Sequence, residues 1–405
     1  MPAGREAVDT LSVPADLTGA LVTDHLDVGG IGAVIETLAR GLPRYGVRPI
    51  VVCPGDGARA ARLRAHGVEV RCAASAQEAV DALRGVDVIA LHSAPDHLER
   101  CAIESDLPLV TVMHNTEIHF TRRRWITFRE LLSRSVTGVA VSETVREFHI
   151  RHVPAEIATR IRVVPNGATA ETAGHPRERD TARNALAAAV NTPLRDDVVF
   201  ACLARYDSQK NVAGTVASFL HAVESGLTGA RLVYAGDPSD WAELRRADAI
   251  RLSSAHGDRV HLLGNSHAST LLLAADVFLL NSFFEGWAVA ATEAAASGMP
   301  LVLSEVGGAA ELIAFDGERS VLIPNAVGDA GSVTDARVVS ARRHSRHQSN
   351  RADLAKALAA VASRVRADPE RRVPPAIRTS TAEMIGGHAD ALREARDAHV
   401  AIGDV

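Results

Sequence analysis

The 405-residue chain has only four cysteines, Cys53, Cys72, Cys101 and Cys202, and no two of them form a C-x-x-C pair. Neither a cysteine zinc site nor a disulfide framework fits that spacing, so the four read as small buried hydrophobes. A positive excess is also missing, since the formal net charge is -5 at pH 7. Neutralising the phosphates of a nucleic acid or an anionic membrane takes a clustered basic surplus, which excludes a general binder of either. No apolar run reaches the about 20 residues of a membrane-spanning helix. The most apolar stretch, Leu271 to Leu280, carries Asp276 inside it. Met1 to Asp16 mixes Arg5, Glu6 and Asp9 with Pro2 and Pro14, without the apolar core of a secretory signal. These absences predict a soluble, cytoplasmic protein whose phosphate ligand, if any, is a small molecule.

What is present is an average globular profile, 47% hydrophobic and 23% charged, with Gly 30 and Pro 17. It excludes collagen-like, disordered and coiled-coil classes. At about 150 residues per domain the length predicts two domains. Short β-rich runs alternate with helical patterns. Ala20 to Thr23, Pro49 to Cys53, Val86 to Leu91, Leu109 to Met113, Gly138 to Val141 and Ile161 to Val164 are the strands expected in the first half. Val198 to Leu203, Arg231 to Ala235, Val260 to Leu263, Val277 to Leu280, Leu301 to Leu303 and Val321 to Ile323 follow in the second. This βαβ rhythm predicts an α/β fold of two Rossmann-like, doubly wound parallel sheets with a cleft between them. The polar segment Thr169 to Arg195 reads as interdomain, which places the boundary near residue 175. The expected domains are 1–175, 176–378 and a final helix within 379–405, following Pro374 and Pro375 and packing back on the first domain. Asn325 to Asn350 shows little periodicity and reads as a solvated surface insertion, with acceptor binding as the alternative.

Three stretches could carry chemistry. Gly29, Gly30 and Gly32 follow a strand and open a helix, where exposed N–H groups favour a phosphate. The spacing departs from G-x-G-x-x-G, and no acidic residue ends the second strand, so the loop alone fits a plain tight turn equally well. Arg205 and Lys210 lie in ARYDSQKN after a strand, at the carboxyl end where open α/β sheets bind ligands. A planar fork and a compact cation there could neutralise a departing diphosphate. Glu285 and Glu293 are eight positions apart in an apolar context. A helix through both would separate them by about 12 Å, a span that suits a ligand with a sugar at each end of a diphosphate.

Together these segments resemble the retaining glycosyltransferases of family 4, also called group 1, which have the GT-B fold. The resemblance covers nearly the whole chain. FFEGWAVAATEAAASGMPLVLSEVGGAAEL resembles the family's E-x7-E helix, next strand and Gly-Gly loop, ARYDSQKN its phosphate clamp, and VMHNTEIHF its strand-end histidine segment. It implies that Arg205 and Lys210 hold the donor diphosphate, with Gly29 and Gly30 near the phosphates and Gly286 lining the donor site. It also implies Glu293 at the ribose, Glu285 near the transferred sugar, and His114 at the reacting face as a positioning group rather than an essential base. Asn281 stands where the family often has proline, Asn115 where aspartate or glycine is frequent, and the Asn325 to Asn350 insertion is longer than usual.

The expected activity is transfer of a hexose-like sugar from a nucleotide diphosphate donor to a small-molecule, lipid or saccharide hydroxyl. The resemblance implies retention, and the lack of a D-x-D pair predicts that neither metal nor other cofactor takes part. An epimerase or glycosyl phosphorylase on the same fold, or a non-catalytic nucleotide-sugar-binding subunit, are the alternatives. The basic helix Thr121 to Ser133, with Arg122, Arg123, Arg124 and Arg129 around Trp125 and Phe128, reads as ordinary packing rather than a membrane contact. His92 with His97, and His344 with His347, lack a metal context.

Overall fold

The computed structural model describes residues 16–27, 29–167, 176–264, 268–316, 319–368 and 381–403. Among these, the first half contributes β1 (Leu17–Val22), β2 (Val47–Cys53), β3 (Glu69–Cys72), β4 (Val88–Leu91), β5 (Leu109–Met113), β6 (Ser135–Ala140) and β7 (Ile161–Val163). The second half contributes β8 (Val198–Leu203), β9 (Ala230–Ala235), β10 (Val260–Leu263), β11 (Val277–Leu280), β12 (Leu301–Ser304) and β13 (Val321–Ile323). They form two separate sheets, in the orders β3-β2-β1-β4-β5-β6-β7 and β10-β9-β8-β11-β12-β13, and every pairing is parallel. Helices cover both faces, which is why central strands such as β8 (VVFACL) and β9 (ARLVYA) are apolar almost throughout. In each sheet the order reverses beside the first strand, between β1 and β4 and between β8 and β11. Loops leaving those carboxyl ends diverge, opening the crevice in which such sheets bind ligands.

Three expectations need correction. The edge strand β3 went unforeseen because its sequence, EVRC, is short and alternates charged residues with a half-buried Val70 and an exposed Cys72. Cys72, on that edge, is exposed rather than buried. Residues 325–350 are not a structureless insertion: they hold the helix Asp335–Arg343, started by Thr334, whose hydroxyl accepts from the Arg337 N–H, and two 3-10 turns. Val338 is the only buried residue of that helix, which left an apolar periodicity too weak to read.

The helix Pro176–Ala189 is fastened to the second sheet by a buried carboxylate. Asp276, 1% exposed, takes Arg179 at 2.5 Å, Arg183 at 3.1 Å and the Val199 N–H at 2.9 Å. The final helix, Thr381–Gly403, lies on the first domain. The Tyr45 hydroxyl donates to the Ala382 carbonyl at 2.9 Å, and Arg162 pairs with Glu394 at 2.9 Å. The segment before Asp16, residues 168–175 at the expected boundary, and Pro374 and Pro375 lie outside the described residues. Among the described residues, no helix is long and apolar enough to cross a membrane.

Candidate active site

The loop after β8 is shaped by its own side chains. Tyr206 is buried, its hydroxyl 2.7 Å from the Leu263 carbonyl and 3.1 Å from that of Tyr234, which ties the loop to the ends of β9 and β10. Asp207 then accepts the N–H groups of Gln209 (3.0 Å) and Lys210 (3.1 Å), a local turn that a short carboxylate favours. This turn aims the Lys210 ammonium at Glu285 Oε1, 2.6 Å away, while Gln209 Nε2 donates to Glu285 Oε2 at 3.0 Å and to the Phe284 carbonyl at 2.9 Å. The Phe283 N–H donates to the Gln209 carbonyl at 2.9 Å, joining this loop to the one after β11. Both charges are largely withdrawn from water, at 15% and 6% side-chain exposure, so each depends on the other. Arg205 stands apart from the pair, more than half exposed and 3.1 Å from Asp207 Oδ2. Lysine is a deliberate choice here, because the chain has only two, Lys210 and Lys356, among 44 basic residues.

Glu285 does not lie on the helix that carries Glu293. The helix is Val289–Ala296, and Glu285 sits in the preceding loop, so a helical rise does not set the spacing of the two carboxylates. Trp287 holds the loop against the helix by donating from Nε1 to Thr292 Oγ1 at 2.8 Å. Glu293 is half-buried, one turn beyond Val289 on the same helix face. Val289 in turn faces the first domain: its Cγ2 is 3.7 Å from where a Cβ on Gly30 would be. Gly29 precedes the helix Gly30–Gly41, which has no side-chain cap and no acidic residue in its first turn, leaving its N–H groups available to an anion.

At Gly286 the two halves lie in close contact. A Cβ there would stand 1.7 Å from the His114 carbonyl oxygen, so only glycine lets the β11 loop lie against the end of β5. This contact is reinforced by the Thr144 hydroxyl donating to the Gly307 carbonyl at 2.9 Å and the Glu143 N–H donating to Glu311 Oε1 at 3.0 Å.

His114 is half-buried and belongs to a stack of imidazoles. Its Nε2 is 2.8 Å from Nδ1 of His92, and the His92 ring stacks on His114 at 5.1 Å and on His388, from the final helix, at 5.7 Å between centroids. Burial drives His114 down to about 4 against the opposing field of Asp24, and His388 to about 3. Burial also holds His92 well below the ordinary histidine range, with His114 and His388 adding to the shift. All three are therefore neutral at pH 7. Three residues on, burial pushes Glu117 up to about 7 despite the pull of Arg124. Among the described residues, no group of three or more His, Cys, Asp or Glu side chains is arranged to hold a metal ion.

Sequence reasoning missed Gln209, Asp207, His92 and His388. An Asx turn opening at Asp207 in DSQK was a readable signal; nothing in the sequence placed His388 against His92, because the contact spans most of the chain. The basic helix proves to be Arg122–Arg134: Arg124 grips the buried Glu99 with both nitrogens, at 2.5 and 2.6 Å. Trp125 stacks on His152 with centroids 4.4 Å apart.

Comparison with known proteins gives a consistent picture. A family model described as Glycosyl transferases group 1 matches residues 197–336, and one described as Glycosyltransferase Family 4 matches 28–172; together they take in more than two thirds of the chain. EpsF of Bacillus subtilis (strain 168), which carries a provisional glycosyltransferase name, is 27% identical over 45% of this chain and 46% of its own. An MMP alpha-(1->4)-mannosyltransferase of Mycolicibacterium hassiacum is 32% identical over 26% of this chain and 24% of its own. The matches thus span less than half the length of these curated relatives. In fold, the chain resembles HepE of Anabaena, solved with UDP and glucose, at a TM-score of 0.68 and 17% identity over 93% of this chain and 99% of that one. A glycosyltransferase of Rickettsia africae gives a TM-score of 0.67 at 14% identity over 94% and 98%.

Proposed function

Because the chain belongs to the group 1 glycosyltransferases and has their GT-B fold, we propose that it moves a hexose-like sugar from a nucleoside diphosphate donor to a hydroxyl acceptor, with retention and without a metal. One observation carries the reading. The strand-end loops of β8 and β11 bring Lys210 and Glu285 together, and Gly286 sets that pair against His114 across the cleft. Solved complexes of HepE with UDP and with UDP-glucose support a nucleotide-sugar donor.

In this reading Lys210 is prepositioned by Glu285 and Gln209, and Arg205, solvated and loosely held, swings onto the diphosphate. Both cations stabilise the charge that grows on the departing phosphate, where preorganised donors contribute most. Glu293 accepts from the ribose hydroxyls and Glu285 from the transferred sugar. The uncapped helix start at Gly30 faces the phosphates from the other side. The acceptor oxygen forms its bond to the anomeric carbon on the face from which phosphate leaves, the carbon–oxygen bond to phosphate breaks, and a phosphate oxygen takes the acceptor proton. His114, neutral, orients a sugar hydroxyl and does not act as the base.

The test is turnover of candidate donors with and without hydroxyl acceptors, with chelator present, and with the anomeric configuration of the product read by NMR. Nucleoside diphosphate released only with an acceptor, unaffected by chelator and with configuration kept, is the expected outcome. Donor isomerised without acceptor, or cleaved only by orthophosphate, would replace transfer with one of the rival chemistries.

A further inference from the structure

Residues 325–350 grip both loops of the candidate site through buried amides. Asn211, next to Lys210, and Gln348 form a reciprocal pair: Asn211 Nδ2 donates to Gln348 Oε1 at 2.8 Å, and Gln348 Nε2 donates to Asn211 Oδ1 at 2.7 Å. The two residues are 2% and 6% exposed. Asn350 donates from Nδ2 to Asn281 Oδ1 at 2.9 Å, and Asn325 from Nδ2 to the Phe283 carbonyl at 2.8 Å, both in the loop that leads to Glu285.

The Asn211 pair has two marks of a fixed geometry. Asn211 adopts the left-handed conformation, φ 52°, at the start of the helix Val212–Glu224, yet its side chain makes no cap there, since Gln348 holds it away. Gly214 leaves room for the pair: a Cβ on it would meet Gln348 Oε1 at 2.2 Å and Asn211 Oδ1 at 2.3 Å. Replacing Gln348 by an apolar side chain would orphan both ends of a buried amide, and the available relief is for Asn211 to turn back and cap its own helix. That turn rotates the adjoining Lys210.

We propose that residues 325–350 are a positioning element of the donor site, and that Gln348, through Asn211, holds Lys210 on Glu285. The inference deepens the donor-site reading and rests on it for its functional meaning; the geometry of Lys210 can be measured without any donor.

The experiment uses the full chain and exploits its two lysines. N-acetoxysuccinimide acylates both, and mass spectrometry reads the rate at Lys210 relative to the exposed Lys356. In Gln348→Met, acylation of Lys210 is expected to rise on the order of fivefold or more while Lys356 is unchanged, as the loss of a constraining buried hydrogen-bond pair implies. Gln348→Asn, which keeps the amide but shortens its reach, gives a smaller rise in the same direction and serves if the first variant does not fold. The same proteins are titrated with uridine, guanosine, adenosine and thymidine diphosphates. Weaker binding of whichever nucleotide the unaltered chain takes accompanies the rise. Unchanged Lys210 protection in a folded variant, or equal rises at both lysines, overturns the positioning role even if nucleotide binding is intact. Failure of the unaltered chain to bind any of the four, with the Lys210 result as expected, overturns the donor reading instead.

Discussion

Removing the Lys210 ammonium strips Glu285 of its counter-charge in a place where water reaches only 6% of the side chain. Lys210→Ala should lower turnover by roughly a hundredfold or more, because a preorganised cation at a developing phosphate charge is lost. It should also lower stability, and Glu285→Gln should relieve part of that loss, since the uncompensated carboxylate is then gone. A double-mutant cycle read by urea denaturation tests the coupling; additive effects would mean that the pair is not formed. Histidine gives a second prediction at this scale. Nε2 of His92 is buried without a partner, and an orphaned lone pair costs less than an orphaned N–H. His92 therefore carries its proton on Nδ1 and donates to Nε2 of His114, leaving His114 protonated on Nδ1 as a hydrogen-bond donor. Nitrogen-15 chemical shifts of the two rings check this directly, and an Nε2–H tautomer at His114 would contradict it. Position at a strand end singled out Lys210, an apolar context singled out Glu285, and the family resemblance implied His114. Sequence reasoning missed Gln348 and His388, whose importance comes entirely from what the chain brings beside them.

Among the elements, the loop after β11 is held tightly where Gly286 meets the end of β5. Gly286→Ala places a methyl group against the His114 carbonyl, so the two halves must separate to accommodate it. The variant should retain far-UV circular dichroism, show a larger radius of gyration in solution scattering and lose turnover; an unchanged radius with full turnover would show that the halves do not meet there. The strands of this region were legible, since β5, β8, β10, β11 and β13 occupy the residues that their apolar runs predict. Helix placement was less so. Glu285 to Glu293 looked helical because alanine and valine fill the interval, yet Gly286 and the packing of Trp287 delay the helix to Val289. Residues 325–350 were opaque for a related reason: their periodicity is short, and their order comes from amides bonded to distant loops. The same segment reaches the first domain, where Asp335 lies 3.1 Å from His119 Nδ1 and the Arg151 guanidinium donates to the Gly331 carbonyl at 2.8 Å.

Across the whole molecule, the buried imidazoles set an acid limit. His114, His149 and His261 are held down to about 4 and His388 to about 3, and His92 is lowered as well, burial being the first cause in each. From pH 6.5 down to about 4 the unfolded chain binds protons that the folded chain refuses, so stability falls as pH falls through that window, and His388 extends the fall to about 3. Glu117, raised to about 7, works in the opposite sense, since the folded chain holds its proton between about 4.5 and 7, but it is one group against five. Urea midpoints between pH 4 and 7 should therefore decrease steadily toward acid, whereas a flat profile would show that the histidine stack is hydrated. The doubly wound architecture was written in the alternation of β-rich runs and helices; the contacts that join its halves were not, because they depend on a glycine at one place and a few cross-domain hydrogen bonds.

A crystal structure with a bound nucleoside diphosphate bears most directly on the donor site. The diphosphate is expected in contact with Lys210 and Arg205, with the ribose hydroxyls on Glu293. A nucleotide seated elsewhere, with Lys210 still on Glu285, would contradict it.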